Sequence, residues 1–362
     1  MRSRNASPSH STGWLFCILL ALVLGGCSGE RTQPVELSGS TMGTTWHVTY
    51  TVAEDVLVQP DHEVVRTDLQ ALLDEVNASM STYRADSEIM RLNRSPEKTW
   101  VKASAAFMEV LGAALEVGEA SGGAYDVSVG PLVDLWGFGP GERRDSVPGD
   151  DEIAAALERV GQQSLQVDAE GGRVRKQQPL ELDFSSIAKG YAVDRLAQYL
   201  RGQQIDDFMV EVGGELRLSG LSPRGDAWRI AIEQPSLGRR EPARALALSD
   251  IAMATSGDYR NFFEVDGQRY AHTIDPRTGR AVVHDLVSVT VLAETAMQAD
   301  AWATALLVLG ADQALALASQ RSLAVYLMQR EGDAFTSRHS AAFAPYLRAP
   351  DAAAIEGSGP ER

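Results

Sequence analysis

Between Asp207 and Ala293 the chain carries one β-forming run after another: "DFMVEVGGELRLSG", "WRIAIEQ", "RALALSD", "IAMATSG", "NFFEVDGQRYAHTI" and "LVSVTVLA". Each is β-branched, aromatic or alternating, and turn residues separate them. Asp266-Gly267 is a hairpin signal within one of these runs. Helices fall among the strands without strict alternation, which favours an α+β fold over a doubly wound parallel sheet.

The remaining elements fit that class. "WHVTYTV" (46–52) reads as a strand, and 61–81 as a helix with Val65, Leu69, Leu72, Leu73, Val76 and Met80 on one face. An Ala-rich helix is expected over 104–120. Residues 139–150 form a loop, after which Asp151 caps a short helix running through Arg159. Strands are expected near 164–168 and 172–177, and "LELDF" (180–184) is expected to be a strand leading into a helix over 188–201. A strongly apolar helix covers 295–309 and "LAVYLMQ" makes a late strand. No repeat or long linker divides the chain.

The N-terminus is read as a targeting segment. Arg2 and Arg4 precede an apolar run from Trp14 to Leu24, whose 11 residues fall short of the roughly 20 needed to span a bilayer. "LGGC" (24–27) resembles the bacterial lipobox, which makes 1–26 a lipoprotein signal peptide, Cys27 the lipidated residue and 27–36 a tether. Cys17 would be removed with the signal, so Cys27 is left with no partner for an internal disulfide. Cleavage takes the formal charge from −16 to −18, because it removes two arginines and no acidic residue. This reading gives an acidic body lipid-anchored in a bacterial envelope and facing the periplasm. By resemblance to enterobacterial lipoprotein sorting, Ser28 in place of aspartate favours the outer membrane over the inner. So acidic a surface argues against nucleic acid as a partner. A domain is expected over 37–348 and a disordered tail over 349–362.

Five segments could carry chemistry. In "MQADAWATAL" (297–306), Asp300 and Thr304 lie one turn apart on an apolar helix, with Cβ atoms about 6 Å apart. That pair suits a hard dication such as Mg²⁺, although an aspartate near a helix start can also serve backbone amides. In "DFSSIAKGYAVD" (183–194), Ser185 and Ser186 turn into a helix whose first turn bears Lys189, a setting for phosphate or simply a capped helix. "ASGGAYDVSVGPLVDLWGFG" (120–139) brings backbone close to a flat ligand or covers core. "VEVGGEL" (210–216) is a strand broken by Gly213-Gly214, as a bulge or close approach. A fifth stretch, "HTIDPRTGR" (272–280), ends a strand with His272, followed by a turn shaped by Pro276 and Gly279.

Together with "GSTMGTTW" (39–46), "STYR" (81–84), "ATSGDYRNFFEVDG" (254–267) and "LAVYLM", these blocks resemble the ApbE family of flavin transferases, in the family's order from Gly39 to Met328. The resemblance implies a T-fold-like α+β structure and FMN transfer from FAD to a Ser or Thr hydroxyl of another protein. It implies FAD contacts at Met42, Tyr83, Ala124, Tyr125, Asp126, Ser185, Lys189 and Ile274. Mg²⁺ would be held by the Ser186 carbonyl, Asp300 and Thr304. His272 would be the base, and Asp275 would either orient its ring or cap the turn. The implied acceptors are exported flavin-bearing subunits of ion-pumping oxidoreductases. FAD hydrolysis and FAD carriage without turnover are the rival readings.

Overall fold

The alternation that marks the strands in sequence closes into one eight-stranded antiparallel sheet. The computed structural model describes residues 33–52, 61–141, 143–144, 146–235, 242–258, 261–265, 267–332 and 334–347. The expected signal peptide, Cys27, most of the expected tether and the C-terminal tail lie outside the described residues. All that is described belongs to one compact unit.

Numbered along the chain, the main sheet contains β1 (Val35–Thr41), β2 (Thr44–Thr51), β6 (Asp207–Val212), β7 (Glu215–Ser219), β10 (Ile251–Gly257), β15 (Leu286–Ala293), β16 (Ala324–Glu331) and β17 (Ala334–His339). They lie side by side in that order, every neighbouring pair antiparallel. Small sheets surround it: β3 (Val101–Lys102) with β5 (Arg173–Lys176) and β4 (Leu165–Asp168), the hairpin of β8 (Trp228–Glu233) and β9 (Pro242–Leu248), and the ribbons β11 (Phe262–Val265)–β12 (Gln268–Ala271) and β13 (Ile274–Asp275)–β14 (Arg280–Ala281). The helices are α1 (His62–Met80), α2 (Glu88–Asn93), α3 (Ala105–Ala120), α4 (Gly130–Leu135), α5 (Asp150–Leu157), α6 (Ala188–Gly202), α7 (Ala296–Leu309) and α8 (Ala311–Arg321).

Each sheet face has its own core. Trp46, Val48, Val210, Val212, Ala252, Ala254, Val289 and Val291 point into the helix layer of α1, α3, α6 and α7. On the opposite face Leu216, Leu218, Met253 and Tyr326 pack against the β8–β9 hairpin through Trp228, Ile230, Ile232 and Leu246. A third cluster of Leu132, Trp136, Ile153, Phe263 and Ile274 joins α4 and α5 to the ribbons β11–β14. Eleven of the fourteen residues of α7 are buried, as expected for a helix that is apolar all round.

The structure departs from the sequence reading in several places. Val35–Thr41 is a strand, so the tether ends before 36. Residues 180–184 make only a single bridge, from Glu181 to Val129. Their backbone is instead served by a side chain: Leu182 N–H donates to Asn93 Oδ1 (2.7 Å) and the Leu182 carbonyl accepts from Asn93 Nδ2 (2.9 Å). The glycine-rich 120–139 segment contains α4, with Pro131 in its first turn. Asp151 lies inside α5 rather than capping it, since Gly149 is the N-cap and its N–H donates to Glu152 (2.8 Å). The short α2, α8 and β17 carried too little periodicity to be foreseen.

Candidate active site

Two helices lock together by exchanging caps, and this positions the charged groups. The Asp194 carboxylate of α6 accepts from the N–H groups of Ala296 and Met297 at the start of α7 (2.9 and 2.8 Å). In return Asp300 of α7 accepts from Gly190 N–H in the first turn of α6 (3.0 Å). Each carboxylate meets orphan donors at the other helix's N-terminus. The approach is so close that a Cβ on Gly190 would meet the Ala296 carbonyl oxygen at 2.2 Å. The exchange brings Lys189 beside Asp300.

Lys189 Nζ lies 2.6 Å from Glu215 Oε1 and 3.7 Å from Asp300 Oδ1. Both carboxylates are buried. Burial pushes Glu215 up to about 7 against the pull of Lys189, with Asp300 adding to the rise. Burial also raises Asp300, opposed by Lys189 and the Gly190 amide. Burial alone would lower the Lys189 ammonium, yet Asp300 and Glu215 carry it above its ordinary value. Two buried carboxylates share one cation, and Glu215 Oε2 is buried without a hydrogen-bond partner. The cluster is short of positive charge.

One turn along α7, Thr304 Oγ1 meets Ser256 Oγ of β10 (3.1 Å). In the turn before α6, Ser185 N–H donates to Asp183 (2.6 Å) and the Ser186 hydroxyl donates to Tyr125 Oη (3.0 Å). Burial raises the Tyr125 phenol, so it stays protonated. Among the described residues no three His, Cys, Asp or Glu side chains gather as a metal-binding group. One carboxylate, hydroxyls and backbone carbonyls nevertheless suit Mg²⁺, which needs few protein ligands and completes its octahedron with water and phosphate oxygens. The missing positive charge and the orphaned Glu215 oxygen agree with a dication here.

Across the cleft His272 closes β12. Its Nδ1 faces the Asn261 carbonyl at 3.1 Å, which fixes the neutral tautomer with hydrogen on Nδ1 and leaves the Nε2 lone pair available. The ring sits edge-on to Phe138 at 6.2 Å. Burial lowers its pKa below 6.5, partly opposed by the Asn261 bond, and Lys189 lowers it further. Asp275 takes the turn-capping role: it accepts from Arg277 N, Nε and Nη2 (2.9, 2.9 and 2.8 Å), while its own carbonyl accepts from Gly279 N–H (2.8 Å). Among the described residues the imidazole is oriented by Asn261, and Asp275 does not reach it.

A cleft of about 800 Å³ unites these groups. Met42, Tyr83, Ala124, Tyr125, Asp126, Ser185, Ser186, Lys189, His272, Ile274, Asp300 and Thr304 all line it; Asp275 does not. Met42 and Gly43 form the two-residue turn between β1 and β2, with φ of 48° and 72°. Such turns favour Asn-Gly or Gly-Gly, so the methionine at positive φ is held in a strained conformation. Tyr83 is 71% exposed at the rim, its hydroxyl 3.4 Å from the Phe138 carbonyl. Asp126 spends both oxygens on the loop, accepting from Ser128 N and Oγ and from Gln162 N.

The sequence profile of the ApbE family matches residues 42–327. The chain belongs to the ApbE family. A relative from Vibrio cholerae is 43% identical over 335 residues, covering 92% of this chain and 98% of its own, and one from Escherichia coli K12 is 36% identical over 338 residues, covering 90% and 95%. Both bear the name FAD:protein FMN transferase. The solved flavin transferase ApbE of V. cholerae superposes with a TM-score of 0.81 at 42% identity, covering 87% of this chain and all of that one. The apo flavinyl transferase ApbE of Pseudomonas stutzeri gives 0.81 at 39%, covering 88% and 98%. These ApbE neighbours share the α+β architecture expected from the strand-rich second half.

Glu215, Ser256, Asn261 and Asn93 were not picked out from sequence. Only Glu215 left a signal there, as a carboxylate directly after Gly-Gly at the start of an apolar strand.

Proposed function

We propose that this ApbE family member transfers FMN from FAD to a Ser or Thr hydroxyl of an exported flavoprotein subunit, Mg²⁺-dependently, and releases AMP. The observation that carries it is a neutral, oriented imidazole facing a lysine–carboxylate cluster across one cleft, in a chain whose relatives are named FAD:protein FMN transferases. The acceptor oxygen bonds to the phosphorus of the FMN half, the bond from that phosphorus to the bridging oxygen breaks, and the hydroxyl proton passes to His272 Nε2. AMP leaves with the bridging oxygen. A serine or threonine hydroxyl is a weak nucleophile at its own pKa, so a neutral base is needed at neutral pH.

Asp300, Thr304 and the Ser186 carbonyl would hold the dication, which supplies charge neutralisation at the pyrophosphate. Lys189 adds a fixed positive charge at the same end. Met42, Tyr83, Ala124–Asp126, Ser185 and Ile274 line the remainder as the flavin nucleotide's contacts. The lipobox-like "LGGC" supports a periplasm-facing lipoprotein anchored through Cys27. By family resemblance, acceptors are flavin-bearing subunits of ion-pumping oxidoreductases. The test is mass spectrometry of such a subunit after incubation with the full-length protein, FAD and Mg²⁺. A gain of one FMN moiety, abolished by EDTA, is expected. Free FMN and AMP without a gain would make the protein a hydrolase, and intact bound FAD a carrier.

A further inference from the structure

The flavin contacts and the charged cluster occupy only part of the cleft. Its remaining wall comes from the other face of the sheet. In the strand register His47 of β2 faces Glu211 of β6, Glu211 faces Leu216 of β7, and Leu216 faces Met253 of β10. Register partners point to the same side, so these residues form one row across four strands, and all four line the cleft. On β1 the row continues to Ser38, opposite His47, which is exposed. It therefore runs as a shelf from solvent down to the β8–β9 hairpin, where Leu216 and Met253 are buried.

The partition between this shelf and the charged cluster is thin. It is the Gly213–Gly214 turn, with φ of 61° and 107°. A Cβ on Gly213 would meet Thr44 Cγ2 at 2.9 Å and Lys189 Cδ at 3.2 Å, whereas one on Gly214 would meet nothing within 4 Å. The turn is bare backbone lying against Lys189 and open on its outer side. The shelf's inner end is bounded by β8, whose Ala231 and Ile232 line the cleft. Among the described residues β8 has a strand partner only in β9, so its other edge offers backbone donors and acceptors to an extended peptide. His47 Nδ1 and Glu211 Oε2 pair at 2.9 Å, the histidine side chain 55% exposed and the carboxylate tied to Gly214 N–H at 2.6 Å.

We propose that this shelf, from Ser38 and His47 past Glu211 to the β8 edge turned away from β9, is the docking site for an extended segment of the acceptor protein that carries the hydroxyl. The inference rests on the transfer reading above. That reading requires a second, polypeptide substrate to reach the Lys189 end while the flavin nucleotide is in place. The shelf is continuous with that end, opens to solvent and carries none of the flavin contacts, and it is bounded by the backbone of the Gly213–Gly214 turn and of β8.

The test is steady-state transfer by the full-length protein at saturating FAD and Mg²⁺, with the acceptor subunit varied. The variants are His47→Ala, which removes the shelf's exposed hydrogen-bonding ring, and Thr45→Trp, which fills the shelf from a neighbouring exposed position. Each is expected to raise the KM for acceptor about tenfold while the Kd for FAD, measured by flavin fluorescence, holds. Transfer with an unaltered acceptor KM in both variants would overturn the shelf while leaving the transferase standing. A parallel loss of FAD affinity would overturn it by assigning the shelf to the nucleotide. No transfer by the unsubstituted protein would overturn the functional reading and the shelf with it.

Discussion

The two halves of the cleft are built in opposite ways. The lysine–carboxylate end is deep: Lys189, Asp300 and Glu215 hang from α6, α7 and β7, and the two helices are fixed by reciprocal carboxylate caps in the main core. The histidine end is peripheral. His272 follows a two-stranded ribbon held by a small satellite cluster, and its backbone N–H and its ring both bond to the Asn261 carbonyl. Groups whose charge must be concentrated in low dielectric are built into rigid, buried elements, at the cost of raised carboxylate pKa values. The proposed base sits on the smaller unit. Mutations should therefore act differently at the two ends.

The largest effect is expected from His272→Ala, which should lower kcat by roughly 10³-fold and leave FAD affinity intact. Equal loss of FAD binding would make the histidine a binding residue. For the unsubstituted protein, the rate should fall as pH drops through a pKa below 6.5, because protonation removes the base. An acid limb centred above 6.5 would exclude His272 as its source. Next comes Asp300→Asn, which keeps an oxygen for Gly190 N–H but removes the charge. It should lower Mg²⁺-dependent transfer by about 10²-fold or more. The melting temperature should hold or rise, since Lys189 then balances Glu215 alone. A large drop in melting temperature would show that the charge serves the fold rather than the metal.

Gly190→Ala should destabilise the protein by about 3 kcal/mol in a denaturant titration, because the new methyl would meet the Ala296 carbonyl. A neutral result would mean that α6 and α7 can part without harm. The smallest effect is expected from Asp275→Ala, about 1 kcal/mol of stability with only a modest loss of transfer, since the side chain holds Arg277 and not the imidazole. A loss approaching that of His272→Ala would restore Asp275 to the catalytic apparatus.

Strand-rich patterning, the helical spacing of Asp300 and Thr304, and Lys189 in a helix's first turn were all legible in the sequence. They are local properties, set by periodicity and by residues one turn apart. Residues 180–184 misled because their strand-like composition is real while the backbone of Leu182 at their centre bonds to Asn93, nearly ninety positions earlier. Glu215 was overlooked for a similar reason: Gly-Gly announces a turn but says nothing of the lysine on the other side. Asp275 was legible as a turn residue, and the structure was needed to remove it from the imidazole.

By itself the sequence determined the α+β class, the family's blocks in order, and most of the side chains that line the cleft. Hydrophobic periodicity and turn chemistry act over a few residues and can be read along a line. Only the tertiary structure decided the exchange of caps between α6 and α7, the sharing of one lysine by two buried carboxylates, the choice of Asn261 as the imidazole's partner, and the row from Ser38 to Met253 across five strands. Each of these joins groups far apart in the chain, and their energies depend on burial and register that exist only once the sheet and helices have packed.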